Sequence, residues 1–368
     1  MSETPLRTAA VVGTGMIGTS VALALTERGV TTHLIDRDHA AARTAAELGA
    51  GTAELPGSPV DLAVLAVPPA SVAAVLEQHQ RSGLARTYTD VASVKRPPQA
   101  DVEARGCDLA SFVGGHPLAG RERSGPLAGR ADLFGGKPWV LTPGRATRRA
   151  AMARVLELVR LCGGVPVVLS PDDHDEAVAL VSHAPHLLSS LMAARLRGGP
   201  HSSVRLAGQG LRDVTRIAAG DAALWTDILA SNAPAVARVL GDVADDLAEV
   251  LTALRGLASV DAVTARTHPA AAHLTALLAR GNEGHARIPG KHGGESVTYS
   301  SVRVVLRDRA GELARVLTDA SGTGANIEDI RLDHATDGDT GLVELLVAGE
   351  SADALAAGLR RRGWPVHE

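Results

Sequence analysis

Two short stretches carry residue types at spacings that suit chemistry on a bound ligand. The first is Gly13-Thr14-Gly15-Met16-Ile17-Gly18, a G-x-G-x-x-G run placed directly after TAAVV and at the start of a helical pattern. The first glycine permits a tight turn, the second lets backbone approach a pyrophosphate, and the third lets helix pack closely on strand. The helix start then offers unsatisfied N–H groups and a partial positive charge to phosphates. Asp36 ends the next β-branched run, where its carboxylate can accept bonds from an adenosine ribose and repel a 2′-phosphate. That choice favours NAD over NADP, although Arg37 beside it blurs the preference. Thr14, Met16 and Ile17 within the loop, and Val67 and Pro68 at the end of DLAVLAVP, complete the candidate cofactor contacts.

The second stretch is split between Asp90-Val91-Ala92-Ser93-Val94-Lys95 and Gly114-Gly115-His116-Pro117-Leu118-Ala119-Gly120. Each follows a strand-like run, and in open α/β sheets the carboxyl ends of strands face the ligand crevice. Ser93 and His116 are thereby placed near a nicotinamide. An imidazole titrates in the range needed to take a proton as a hydride leaves. The competing reading of His116 is a satisfied loop histidine, and that of Lys95 is a solvated charge at a strand end.

The elements that must position these residues are legible as patterns. TAAVVG, THLIDR, DLAVLAVP, RTYTDVAS and PWVLTP read as short buried strands, separated by helical stretches at Ile17–Arg28, His39–Leu48 and Ser71–His79. This alternation predicts an α/β Rossmann-like domain over residues 1–171. From Asp172 to about Arg287 the strands vanish and long helical patterns follow, predicting an all-α substrate and dimerisation domain over 172–288. A Gly-rich polar linker occupies 289–296. Residues 297–368 then read strand, helix, strand, strand, helix, with a last strand in WPVHE, which is a ferredoxin-like α+β arrangement.

Composition narrows the function classes. The chain has 368 residues, 37 basic against 41 acidic side chains and a net charge of −4, so it lacks the basic footprint of a nucleic-acid protein. Two cysteines, Cys107 and Cys162, exclude a disulfide framework, and no metal site is expected. No apolar run reaches membrane-span length by eye, and the N-terminus has no secretory pattern, so a soluble cytoplasmic protein is expected. Aromatic residues make up only 2% of the chain and Arg far outnumbers Lys, as a GC-rich genome would produce.

The motifs GTGMIG, DVASVK, GGHPLAGRERSG, SHAPH and LRDVTRIAAGDAALWTDILASN, in this order from about residue 8 to 232, resemble the prephenate/arogenate dehydrogenase family. The resemblance implies oxidative decarboxylation of prephenate with NAD, His116 as the catalytic histidine and Ser93 as the serine that orients it. It implies that Arg216 grips a substrate carboxylate and that His186 and Ser182 lie in the pocket. It further implies that Asp213 fixes the guanidinium, Trp225 forms a wall and Glu122 gates the site. Arg121, where some relatives carry a small polar residue, bears on side-chain selectivity. Without the resemblance, Asp213 and Arg216 are an i,i+3 surface pair worth ~0.2–0.5 kcal/mol, Trp225 is core packing, and His183 is a core or capping histidine.

The tail resembles an ACT regulatory domain, with Asp308, Gly311, Asn326 and Ile327 at turns that would bind a small amino acid. L-Tyrosine is the expected effector; a dimerisation module is the alternative. A homodimer is expected; the resemblance implies that such enzymes often complete each active site across that interface, and the sequence leaves open whether Arg216 serves its own subunit or its neighbour. Arogenate in place of prephenate is the nearest competing activity, and a non-catalytic NAD and amino-acid sensor is a more distant one. A 6-phosphogluconate- or hydroxyisobutyrate-type enzyme would use a lysine in the helical domain, and none lies between Asp172 and Arg287.

Overall fold

The computed structural model describes residues 5–120, 125–288, 299–334 and 340–367. The chain divides into two compact units, Met1–Asp246 and Leu247–Glu368. In the first unit β1 (Thr8–Val12), α1 (Met16–Thr26), β2 (Thr31–Ile35), α2 (His39–Glu47), β3 (Leu62–Leu65), α3 (Val72–Arg81) and β4 (Tyr88–Asp90) alternate as expected. They continue with α4 (Arg96–Ala104), β5 (Phe112–Pro117), β6 (Pro138–Thr142), α5 (Arg149–Leu161) and β7 (Val165–Val168). Among the described residues the strands form one seven-stranded sheet in the order β2-β1-β3-β4-β5-β6-β7. All neighbours are parallel except β5 and β6.

Alternation along β1 explains why the sheet is covered on both faces. Ala9 and Val11 enter one core with Leu25, Leu34, Trp139 and Leu158, whereas Ala10 and Val12 enter the other with Leu65, Leu76, Tyr88 and Phe112. Each such buried aliphatic side chain is worth roughly 1.5–3 kcal/mol relative to exposure. In a chain so poor in aromatics, Trp139 and Phe134 anchor one face, with ring centroids 5.0 Å apart.

Beyond β7 the first unit is helical: α6 (Pro171–Val178), a single π turn (Ala179–His183), α7 (Ala184–Leu196), α8 (His201–Val204), α9 (Gln209–Thr215) and a 3₁₀ turn (Arg216–Ala219). Next come α10 (Ala222–Ser231) and α11 (Ala233–Ala258), which runs into the second unit, where α12 (Ala262–Thr267) and α13 (Pro269–Ala286) follow. Ser170 caps α6 by accepting from the Asp173 N–H, and Asp172 and Asp173 sit in its first turn, where negative charge is favoured. The run Pro171–Leu196 is, by length and composition, apolar enough to cross a bilayer, which differs from the expectation above. Its Ala- and Leu-rich composition produces that property, and 33% of the window is buried inside the fold.

In the second unit, β8 (Tyr299–Arg307), α14 (Glu312–Ser321), β9 (Ile327–His334), β10 (Thr340–Ala348), α15 (Gly349–Arg361) and β11 (Val366–His367) give the ferredoxin-like order. The four-stranded antiparallel sheet runs β11-β8-β10-β9 among the described residues. Val302, Val304, Val343, Leu345 and Leu355 build its core. Asp308, Gly311 and Asn326 are exposed at turns, and Ile327 is half-buried against that core. Gly311 takes φ +92° at the start of α14, a left-handed geometry that suits glycine.

Candidate active site

The glycine loop meets the geometry its sequence demands. A Cβ on Gly13 would lie 2.1 Å from the Ala66 carbonyl oxygen, and one on Gly18 would lie 1.9 Å from the Gly13 carbonyl oxygen. Gly15 faces open space, with nothing within 4 Å, so the mouth of the loop is free for phosphate. Thr14 is buried, Met16 and Ile17 are half-buried at the start of α1, and Val67 and Pro68 follow β3. Asp36 turns its carboxylate onto the loop, where Oδ2 accepts from the Thr14 N–H at 2.6 Å and hydroxyl at 2.9 Å. Burial pushes this carboxyl up, but the bonds from Thr14 and Asp38 outweigh it and hold the group below its usual range. The donor set and open cradle fit an NAD pyrophosphate and adenosine ribose.

At the ends of β4 and β5 a polar core is almost sealed from water. Asp90 is 1% exposed and Lys95 2%, and the two form an ion pair. Asp90 also accepts from the N–H groups of Ala92 and Gly115, and Lys95 Nζ donates to the Gly115 carbonyl at 2.6 Å. The competing reading of Lys95 as a solvated strand-end charge does not hold: its charge is buried because Asp90 and a carbonyl satisfy it. The glycines before His116 are packing requirements. A Cβ on Gly114 would meet Thr142 Oγ1 at 2.3 Å, and one on Gly115 the Asp90 carbonyl at 2.7 Å.

His116 is half-buried on β5. Its Nδ1 lies 2.8 Å from His174 Nε2, and His174 Nδ1 lies 2.7 Å from Asp175 Oδ1. Burial, then the neighbouring His174, Lys95 and His183, hold the His116 imidazole well below its usual range and so neutral. The side chain that meets the imidazole here is His174, not Ser93. Ser93 is half-buried two residues before Lys95, and the α6 helix start brings His174 to the imidazole instead.

The π turn inserts one residue into the helix that runs from α6 to α7, as such turns often do at functional sites. Ser182, half-buried, lies within this turn, and His186 follows in the first turn of α7, so the two are not spaced as on a regular α-helix. His183 is buried, with Nδ1 3.1 Å from Asn232 Nδ2, and burial pulls its pKa down to about 4. His186 stacks on Trp225 with centroids 3.6 Å apart and planes at 11°. Gly220 makes this possible, since a Cβ there would sit 2.5 Å from Trp225 Nε1. Asp213 and Arg216 are both exposed, and Asp213 Oδ1 accepts from Gln209 Nε2 at 2.9 Å. Glu122 and Arg121 lie outside the described residues.

Residues 21–180 match the prephenate dehydrogenase nucleotide-binding domain, and residues 170–265 match the prephenate dehydrogenase dimerization domain. A probable prephenate dehydrogenase, NovF, of Streptomyces niveus is 44% identical over 364 residues, covering 98% of this chain and 100% of that relative. The chain belongs to the prephenate dehydrogenase family. Membership makes it an NAD-dependent oxidoreductase, in agreement with the glycine loop and Asp36. A Bacillus subtilis prephenate dehydrogenase is 31% identical over 236 residues, 60% of this chain and 62% of that protein. Among solved structures, Aquifex aeolicus prephenate dehydrogenase superposes with a TM-score of 0.63 at 26% identity, covering 75% of this chain and 99% of that one. Synechocystis arogenate dehydrogenase gives 0.60 at 26% identity, covering 76% and 98%.

Sequence reasoning missed His174 and Asp175. The available signal was an Asp-His-Asp run at a helix start just after the sheet.

Proposed function

We propose that this chain catalyses the oxidative decarboxylation of prephenate to 4-hydroxyphenylpyruvate, with His116 as the base for the ring hydroxyl. The observation that carries this reading is the imidazole at the carboxyl end of β5. It is neutral, engaged at Nδ1 and carries no bond at Nε2 among the described residues. NAD, held by Gly13 to Gly18 with Asp36, Val67 and Pro68 alongside, supplies the ring carbon that accepts hydride. His116 Nε2 accepts the hydroxyl proton, and low local dielectric keeps it free to do so near neutral pH. Loss of carbon dioxide then makes the substrate ring aromatic, which supplies the driving force. Ser93 lies at the neighbouring strand end as a contact for cofactor or hydroxyl.

The substrate is a dianion, and a guanidinium fork suits a carboxylate with two parallel bonds. Arg216 takes that role, with Asp213 on the preceding helix. Ser182, His186 and its stacked partner Trp225 form the wall of the pocket, and Glu122 gates it. The chain works as a homodimer. Support comes from the dimerization-domain match and from exposed Leu180, Val181, Leu191, Met192, Val214 and Leu224 in the helical region. A cytoplasmic location belongs to the same reading. Residues 297–368 of the second unit act as an ACT-like module that senses L-tyrosine through Asp308, Gly311, Asn326 and Ile327; the strand-helix order and exposed turn at Gly311 support this.

Steady-state NADH formation with prephenate and with arogenate, in parallel, tests the activity. Prephenate is expected to be the better substrate; turnover of arogenate alone would replace the reading, and no turnover of either would leave a sensor. Tyrosine inhibition that survives removal of residues 297–368 would clear the tail of the regulatory role.

A further inference from the structure

We infer that His174, held by Asp175, is the positioning residue that fixes His116 in the tautomer a general base requires; this rests on the reading of His116 as that base. His174 is fully buried and Asp175 is 4% exposed. The Asp175 carboxylate is anchored on both oxygens: Oδ1 accepts from the Lys95 N–H at 2.8 Å and Oδ2 from the Arg96 N–H at 2.9 Å. Its own backbone carbonyl accepts from Asn232 Nδ2 at 2.8 Å, which ties the start of α6 to the helical wall.

A carboxylate only accepts, so the nitrogen of His174 that meets it must carry the proton. In the proposed arrangement His174 is uncharged, its one N–H is spent on Asp175, and its Nε2 is a lone pair. The 2.8 Å contact between His174 Nε2 and His116 Nδ1 then forces His116 to donate from Nδ1. The rings meet edge to face at 69°, with centroids 5.0 Å apart, not stacked. What remains at His116 Nε2 is a lone pair, the proton acceptor. A second proton on His116 is opposed by burial, by the neighbouring His174 and by the Lys95 ammonium, with His183 also nearby; Asp90 is already committed to Lys95. Isolated imidazoles favour the opposite tautomer, with hydrogen on Nε2, so the Asp175–His174 chain inverts an intrinsic preference. Third-group orientation of a base is a recurring device in enzymes, and which nitrogen bears hydrogen is set by the bond the other makes.

The test is the ¹⁵N spectrum of the histidine rings in the full-length protein, with His116 assigned through His116→Asn. The wild type is expected to show His116 protonated at Nδ1 and bare at Nε2; hydrogen on Nε2 would overturn the proposal without any variant. His174→Ala is expected to return His116 to the Nε2–H tautomer and to lower kcat by about 100-fold, with KM for prephenate and affinity for NAD unchanged. His174→Gln offers an amide oxygen to the Nδ1–H and is expected to restore the tautomer and most of kcat. An alanine variant that keeps both, or a glutamine variant no better than alanine, contradicts the positioning role. If His116→Asn itself keeps a normal kcat, the base reading falls, and that outcome is separate from a wrong tautomer in the wild type.

Discussion

The two sides of the candidate site are built on opposite terms. At the carboxyl ends of β4 and β5 Asp90, Lys95, His174 and Asp175 are nearly sealed from water and every one is bonded to a named partner. On the helical side α9 and the 3₁₀ turn that carries Arg216 bury no residue at all, and large apolar side chains stand exposed around them. On the proposed reading, the difference suits the two halves to different work. Proton chemistry needs a fixed tautomer and a depressed pKa, both of which burial supplies before any ligand arrives. Anion binding needs a long cation that can adjust, and the exposed apolar surface leaves room for a second copy of the chain to complete the wall.

Substitutions on each side should separate these roles. The largest effect is expected from His116→Asn, which should lower kcat by ~10²–10⁴-fold, the range for a lost general base, while NAD still binds. A kcat within a few-fold of the wild type would move the base elsewhere. Arg216→Ala should act mainly on KM for the substrate, raising it by roughly 10–100-fold, as loss of a charge-assisted pair worth ~1.5–3 kcal/mol implies. An unchanged KM with weakened NAD binding would break the division between the two sides. Asp36→Ser should raise KM for NAD by about tenfold and admit NADP, measured as the ratio of kcat/KM for the two cofactors; an unaltered ratio would show that Asp36 serves only the loop.

The smallest effect concerns stability. Burial drives His183 down to about 4, whereas an unfolded histidine titrates near ~6.5. Between those values the unfolded chain binds the extra proton, so stability is lost as pH falls through that window and is regained as pH rises. Thermal unfolding should show this acid loss, and His183→Gln should flatten it. An identical pH dependence in the variant would place the acid-sensitive group elsewhere.

How much of this was readable from the sequence follows from where the physics is local. The glycine loop was legible because tight turn, phosphate approach and helix packing each restrict a single nearby position. His116 was legible because its flanking glycines and proline mark a strand end, although the reason for the glycines, contact with Thr142 and Asp90, is tertiary. His174 was not, since 58 residues separate it from His116 and only the sheet order brings them together. Lys95 read as solvated because burial of a charge depends on a partner that pattern cannot show. The strand β7 was missed because Pro166 interrupts VPVV, and its half-exposed valines suit an edge position. The π turn leaves no mark in a run of alanine, leucine and valine. The second unit was legible throughout its order, because its alternation of apolar residues follows one buried face per strand.

A crystal structure of the dimer with NAD and the hydroxyphenyl product bears most directly on the division of labour between the strand ends and the helical wall. The account predicts His116 Nε2 at ~2.6–3.2 Å from the product's phenol oxygen, His174 still on Nδ1, and Arg216 of one protomer or the other against the product carboxylate. An imidazole turned away from that oxygen, or a carboxylate met by neither Arg216, would contradict it.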